Sequence, residues 1–217
     1  MHNQYPDELL RRGFTELGLS FSGGQIDAFM KYLLELKKWN KAYNLTGLKK
    51  DADIVIKHFL DSLLYLKGLP AGPISVVDVG SGAGFPGIPI KLMRPEIEMY
   101  LVEPTGKKAI FLRHITKLVR LSDIYVIEKR IEETNSQQDM TAPADAAITR
   151  ALFDVRDFIR KASHIVREGG TLILSKGPKA EKELEDLRAV TFEILTCKLP
   201  LTDVRRHIIL LKTGKNF

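Results

Sequence analysis

Three groups of residues in this 217-residue chain have types and spacings suited to chemistry. The first is Asp78-Val79-Gly80-Ser81-Gly82-Ala83-Gly84-Phe85. Its glycines stand at alternate positions, where they can take positive φ and let a ligand approach the backbone closely. The second is Glu103, 23 residues after Gly80, near the ~20-residue offset at which a carboxylate accepts hydrogen bonds from a ribose diol. The third is polar: His58, Asp61 and Arg150. His58 and Asp61 lie three apart on one helix and share a face. There they line a cleft, or they form an ordinary surface contact. Arg150 has the chemistry to bind a phosphate or stack on a base, the plainer reading being a surface arginine paired with an acid. Asn40, Asn44 and Thr46 either cap the next helix or touch a partner. Arg205, Arg206 and His207 either touch a nucleic acid or form a solvated strand edge, and the edge is preferred.

These residues need elements to hold them. Ile74 to Val79 is a short β-branched run, the signature of a strand buried on both faces. Pro86 and Pro89 follow the glycines and suit the first turn of a helix. A helix therefore starts near Phe85 and runs through Ile88, Ile90, Leu92 and Met93. Strand, glycine turn and helix open a nucleotide-binding βαβ unit. A dinucleotide site wants Gly-x-Gly-x-x-Gly, and Phe85 stands where its third glycine belongs. The pattern is Gly-x-Gly-x-Gly instead.

From Ile74 onward, strands are expected near 74–79, 98–103, 123–128, 144–149, 170–175, 191–197 and 206–212. Helices are expected near 85–94, 106–121, 131–138, 153–168 and 179–189. Alternation implies a parallel, doubly wound α/β sheet. The last two strands lack a helix between them and suit an antiparallel hairpin. Residues 1–72 read as a helical N-terminal extension to a domain at 73–217. Pro6 and Asp7 open one helix, with Leu9, Leu10, Phe14 and Leu17 as its stripe. Ser22 and Gln25 form a capping box for a second, with Ile26, Phe29, Met30, Leu33 and Leu36 at helical spacing. A third helix covers Asp53 to Leu66, and Gly68, Pro70, Gly72 and Pro73 make the linker.

The chain is 44% hydrophobic and 28% charged, which permits a packed core without disulfides. Cys197 is the only cysteine, so no disulfide framework exists and a reducing, cytoplasmic setting is expected. No run of 18 apolar residues suggests a membrane span, and Met1 to Glu8 does not resemble a secretion signal. The formal net charge is +6, mild support for a polyanionic partner. It concentrates in Lys31–Lys57, net +4, and Lys107–Arg130, net +5, and charge alone supports an ordinary solvated helix surface there equally well.

Five segments occur in order: Trp39-Asn40 with Asn44-Leu45-Thr46; His58-x-x-Asp61-Ser62-Leu63; the turn from Asp78 through Phe85-Pro86-Gly87-Ile88-Pro89; Thr149-Arg150-Ala151; and Lys176-Gly177. Together they resemble the RsmG, or GidB, family of guanine-N7 methyltransferases of bacterial 16S ribosomal RNA. The resemblance implies a Rossmann-like, seven-stranded S-adenosylmethionine methyltransferase sheet behind the helical extension. It implies S-adenosylmethionine as methyl donor and a guanine near the decoding site as acceptor, in free ribosomal RNA or in the small ribosomal subunit. A monomer without a metal or a membrane partner is expected. Asp78, Gly80, Gly82, Gly84 and Phe85 would surround the donor, with Glu103 on its ribose. Ile131 and Glu132 would sit by the adenine, and Arg150, with His58 and Asp61, by the reaction. Pro104-Thr105 after Glu103 and Ile131 before Glu132 depart from the usual serine and alanine of the family.

The chemistry agrees with that resemblance. Exocyclic amino methylation uses an Asn/Asp-Pro-Pro-aromatic loop where this chain has Thr149-Arg150-Ala151-Leu152. Carbon-5 methylation of pyrimidines needs a cysteine nucleophile, and Cys197 reads as a buried structural thiol. Guanine N7 carries a lone pair and no proton, so positioning suffices. The rival readings are a small-molecule methyltransferase, for which the basic helices have no use, and a non-catalytic ribosome-assembly protein, for which the glycine turn and acid have none. Phe85 makes a nicotinamide oxidoreductase the weakest.

Overall fold

Val76, Val77 and Val79 lie fully buried in a strand with neighbours on both sides. That strand, β1 (Ser75–Val79), is followed by β2 (Glu98–Val102), β3 (Ile124–Ile127), β4 (Ala144–Arg150), β5 (Val166–Lys176), β6 (Phe192–Lys198) and β7 (Arg205–Lys212). The computed structural model describes residues 5–150, 152–177 and 191–214. Its single sheet has the order β3-β2-β1-β4-β5-β7-β6. The first five strands are parallel. Only β7 runs against its neighbours β5 and β6, as the missing helix before it requires.

Consecutive side chains of a strand face opposite sides, and the burial follows that parity. Val76, Met99, Leu101, Ala146, Ile148, Ile173 and Ile208 belong to one apolar cluster, and Val77, Tyr100, Val102, Ala147, Leu172, Leu174 and Ile209 to the other. The first face is covered by α1 (Pro6–Glu16), α2 (Gly23–Tyr43), the helical segment from Asp51 to Lys67, α5 (Gly87–Met93) and α6 (Gly106–Leu118). The second is covered by α7 (Val155–Ala162) through Val155, Phe158 and Ala162. The N-terminal helices therefore share a core with the sheet. Within that helical cover the Phe29 ring links α1 to the segment after Asp51, 5.5 Å from Phe14 and 5.1 Å from Phe59.

Several elements differ from their sequence expectation. The expected helix at 53–66 begins at Asp51 and is not uniform. It is α3 (Asp51–Ile54), a π turn over Val55–Leu60, α4 (Asp61–Leu63) and a 3₁₀ turn over Leu64–Lys67. Such π insertions often mark functional positions. The expected helix at 131–138 is only a 3₁₀ turn over Ile131–Glu133. Beyond it the Asn135 side chain accepts from the Gln137 amide at 2.8 Å, and Asp139 accepts from the Asn135 amide at 2.9 Å. Side-chain acceptors of this kind compete with the helical ladder. The helix expected over 153–168 stops at Ala162, and Val166 already pairs with Ala144 in the sheet. Phe158, Ile159, Ala162, Ile165 and Val166 keep helical spacing, which extends the sequence pattern past the true end. The helix expected at 179–189 lies outside the described residues. Among those described, no helix is long and apolar enough to cross a membrane.

Removing the ring that links α1 to the helical cover should be costly. Phe29→Ala is expected to lower stability by about 3–5 kcal/mol. Denaturant unfolding followed both by tryptophan fluorescence (Trp39, on α2) and by circular dichroism should show one coincident transition. Two separated transitions would mean that the extension folds independently of the sheet.

Candidate functional site

The strand order reverses between β1 and β4: from β1 the chain moves outward to β2, then returns to place β4 on the other side. Ligands of open α/β sheets bind outside the carboxyl ends of the strands at such a switch point. The glycine turn leaves β1 and Arg150 ends β4, so both flank that crevice.

Asp78, on the helix-covered side of β1, holds the turn. Its Oδ2 accepts from the Gly87 amide at 2.9 Å, tying the start of α5 to the strand. Its Oδ1 is fully buried and has no hydrogen-bond partner among the described residues. A buried oxygen left in that state is costly unless something completes it. Burial raises the Asp78 carboxyl to about 7, opposed by the Gly87 amide and by Arg150. Gly80, Gly82 and Gly84 all have positive φ, at 72°, 60° and 97°. A Cβ on Gly80 would lie 2.2 Å from Leu152, and one on Gly84 would lie 2.6 Å from the Tyr32 hydroxyl. A Cβ on Gly82 would meet nothing closer than 3.9 Å. Gly82 is thus the glycine whose missing side chain leaves open space.

Glu103 spans the crevice floor. It is buried, and its carboxylate accepts from the Gly82 amide and the Thr105 amide, each at 2.9 Å. Pro104 has no N–H, so the next amide, that of Thr105, makes the second bond. The glycine turn and the acid of the next strand form one unit, and the carboxylate keeps further lone pairs for a ligand.

His58, Phe85 and Arg150 are brought together. The His58 ring stacks on Phe85 with centroids 4.5 Å apart, and the Arg150 guanidinium lies 5.1 Å from the same ring. Phe85 is almost wholly buried between these groups and Tyr32, so its side chain is a support rather than a free surface. Arg150 donates to His58 Nδ1 at 3.0 Å and to the Lys57 carbonyl at 3.2 Å. Arginine has no acceptor to offer, so Nδ1 must carry the lone pair and Nε2 the proton. Nε2 then donates to Thr46 Oγ1 at 2.6 Å. Burial, and after it the charge of Arg150, pushes His58 down to about 3. Its ring is neutral at physiological pH, with both nitrogens engaged.

The remaining expected residues have other partners. Asp61 is buried and pairs with Arg206 at 3.0 Å, so Arg206 is no solvated strand edge. Burial raises the Asp61 carboxyl more than Arg206 lowers it. Ile131 packs in the core on the α7 side, and Glu132 pairs with Lys161 of α7 at 2.8 Å. Cys197 is buried, its thiol pushed up by burial. Two residues absent from the sequence expectation support the crevice. The Tyr32 hydroxyl donates to the Ala83 carbonyl inside the glycine turn. The Tyr65 hydroxyl donates to the Thr149 carbonyl and accepts from the Ser175 amide. Each sits among apolar neighbours at helical spacing, which hides it as an ordinary core aromatic.

Comparisons with known proteins give the same picture. A family model described as rRNA small subunit methyltransferase G matches residues 25–208. A protein of Caldanaerobacter subterraneus subsp. tengcongensis named ribosomal RNA small subunit methyltransferase G is 35% identical over 212 residues, covering 94% of this chain and 89% of that one. A Geobacter sp. protein of the same name is 33% identical, covering 98% and 99%. Among solved structures, a methyltransferase from Pyrococcus furiosus has a TM-score of 0.56 at 14% identity, covering 85% of this chain and 98% of that one. M. jannaschii TYW2 in complex with AdoMet has a TM-score of 0.54 at 17% identity, covering 71% and 74%. These two likenesses show the fold.

The histidine geometry has a direct spectroscopic consequence. Long-range ¹H–¹⁵N spectra should find His58 as the Nε2–H tautomer, with no titration between about pH 5 and 8. Its neutral form belongs to the folded state, so its contribution to stability is complete above the unfolded pKa of ~6.5 and is lost as pH falls toward 3. A His58 resonance titrating near 6.5 would contradict the Arg150 contact.

Proposed function

This chain belongs to the rRNA small subunit methyltransferase G family, and from that premise we propose that it methylates N7 of a guanine near the decoding site of small-subunit ribosomal RNA, with S-adenosylmethionine as donor. The observation that carries this reading is the turn at the switch point, where Gly82 leaves open space beside the backbone and bonds Glu103, with the buried Asp78 oxygen that lacks a partner in the strand behind them. The fit to S-adenosylmethionine follows from donor chemistry. A carboxylate oxygen awaiting a donor suits an ammonium group, Glu103 suits a ribose diol, and a turn without a Cβ at Gly82 leaves room beside the backbone. S-adenosylmethionine supplies an electrophilic methyl group on a sulfonium. Asp78, Gly80, Gly82, Gly84 and Glu103 would hold it, with the Phe85 backbone; on the adenine side only the backbone of Ile131 and Glu132 would serve, because their side chains are engaged in the core and by Lys161.

The residues beside the crevice support N7 as acceptor. His58 has no free basic nitrogen, because Nδ1 faces Arg150 and Nε2 faces Thr46. Asp61 is engaged by Arg206. Neither is set up to take a proton from an amino group or a hydroxyl, and N7 has none to give. Arg150 lies at the crevice edge, where its guanidinium can bind phosphate or the guanine face while the His58–Phe85 stack keeps it in place. Cys197 is buried in β6 with its thiol protonated, which disfavours carbon-5 chemistry. A small-molecule acceptor would leave the lysine-rich α2 without a use.

The direct test is methylation of small subunits from cells lacking this protein. An N7-methylated guanine carries a fixed positive charge, so borohydride and aniline should cut the RNA at the modified position. A methylated product that resists cleavage would exclude N7. The rate should be nearly flat from about pH 7.5 to 9, since no side chain must lose a proton.

Donor binding should show the Asp78 titration. A cation against the carboxylate lowers its pKa from about 7, so binding near neutral pH should release a proton. Affinity should fall as pH drops below 7, and Asp78→Asn should abolish both effects. Calorimetry in buffers of different ionisation enthalpy measures this. Glu103→Ala and Gly82→Ala should each weaken donor binding, the first by roughly 1.5–3 kcal/mol for a lost charge-assisted hydrogen bond. Unchanged affinity in both variants would remove the donor from this crevice.

A further inference from the structure

The lysines of α2 and the segment after it are not equivalent. Lys37 is committed to Asp51 at 2.5 Å, Lys38 to Glu35 at 3.4 Å, and Lys57 to Asp53 at 2.6 Å. Lys41 and Lys49 have no carboxylate partner among the described residues. Both line a groove at the end of α2, together with Lys37, Asn40, Asn44 and Leu48. An unpaired ammonium at a concave surface keeps its full charge for a ligand, whereas a paired one must first give up its partner.

The groove is preformed. Asn44 ends α2 in the left-handed region at φ 50° and reverses the chain. Asn40 then grips the returning loop at one residue: its Oδ1 accepts from the Thr46 amide at 2.8 Å and its Nδ2 donates to the Thr46 carbonyl at 2.9 Å. The Leu48 amide donates to Thr46 Oγ1 at 3.2 Å. The Leu48 backbone is thereby fixed, and its side chain gives the groove an apolar wall beside the two cations. The carboxyl end of α2 contributes a partial negative charge of about half a unit, which the unpaired Lys41 and Lys49 outweigh.

The groove is also linked to the crevice by hydrogen bonds. Thr46, clamped by Asn40, receives the His58 Nε2–H, and His58 receives Arg150. One hydrogen-bonded chain thus runs from a groove-lining residue to the guanidinium at the switch point. The groove and the guanidinium at the switch point are thereby held in one fixed arrangement.

We propose that this groove is a docking subsite for the phosphodiester backbone of the RNA, flanking the nucleotide that is modified. Lys41 and Lys49 neutralise phosphates, and Leu48 packs against a ribose or base between them. The proposal rests on the RNA reading above and adds to it where the backbone is gripped and which cations grip it. Lys37 and Lys38, which already face Asp51 and Glu35, are secondary contacts.

Each phosphate neutralised contributes about 0.7 to 0.9 to the slope of log K against log salt. Binding of a small-subunit ribosomal RNA transcript, read by fluorescence anisotropy from about 50 to 200 mM KCl, should have a slope shallower by about 1.5 in Lys41→Gln/Lys49→Gln. S-adenosylmethionine affinity should stay the same, which shows that the variant is folded. Arg11→Gln/Arg12→Gln on α1 removes the same charge elsewhere and should leave the slope unaltered. An unchanged slope in the lysine variant overturns the proposal, as does an equal loss in the arginine variant, which would reduce the effect to net charge. Failure of the RNA reading looks different: the unaltered protein would bind S-adenosylmethionine yet neither bind nor methylate the RNA, and the groove assignment would fall with it.

Discussion

A single buried carboxylate organises the ligand edge of this protein. Asp78 is the penultimate residue of β1 and has no exposed surface, and one of its oxygens fastens the first amide of α5. That bond sets the span that the glycine turn must cross in seven residues, and with it the positive φ of Gly80, Gly82 and Gly84. Glu103 closes the turn from the neighbouring strand through the Gly82 amide. The other Asp78 oxygen remains without a donor. Folding the chain thus leaves an unsatisfied acceptor behind the glycine turn, a cost that a cationic ligand reaching it would offset.

The N-terminal helices act as the brace for that edge. Tyr32 of α2 reaches the Ala83 carbonyl and stacks on Phe85, while Tyr65 reaches the Thr149 carbonyl just before Arg150. Both hydroxyls are buried, and burial raises their pKa values, so they remain protonated donors. The Asp61–Arg206 pair joins the same helical segment to β7. Breaking such a buried pair leaves an uncompensated charge. The extension therefore fixes both loops that flank the switch point, in addition to carrying the basic groove.

The electrostatics of the site favour holding over proton transfer. Burial and Arg150 keep His58 neutral, and its two nitrogens are spent on orienting Arg150 and receiving the order of the Asn40–Thr46 clamp. A site of this kind accelerates a displacement by alignment and by excluding water. That suits an acceptor atom which already presents its lone pair.

The sequence alone determined what depends on local spacing. The strand–glycine turn–helix unit follows from β-branched residues, three alternate glycines and two prolines. The Ser22 capping box and the final antiparallel strand were equally legible, because a cap or a missing crossover is written within a few residues. The five ordered segments identified the family. Element ends were less legible: helical spacing continued through Ile165 and Val166, although pairing with Ala144 makes Val166 a strand residue. Only the tertiary structure decided the partners of the charged and aromatic groups. Arg206 lies 145 positions from Asp61, and Arg150 lies 92 from His58. Tyr32 looked like core until its hydroxyl met the glycine turn. The lysines of α2 looked alike until Asp51 and Glu35 claimed two of them. Periodicity is set by a residue's neighbours along the chain, whereas a side chain's charge state and hydrogen-bond partners are set by whatever the fold places within about 3 Å of it.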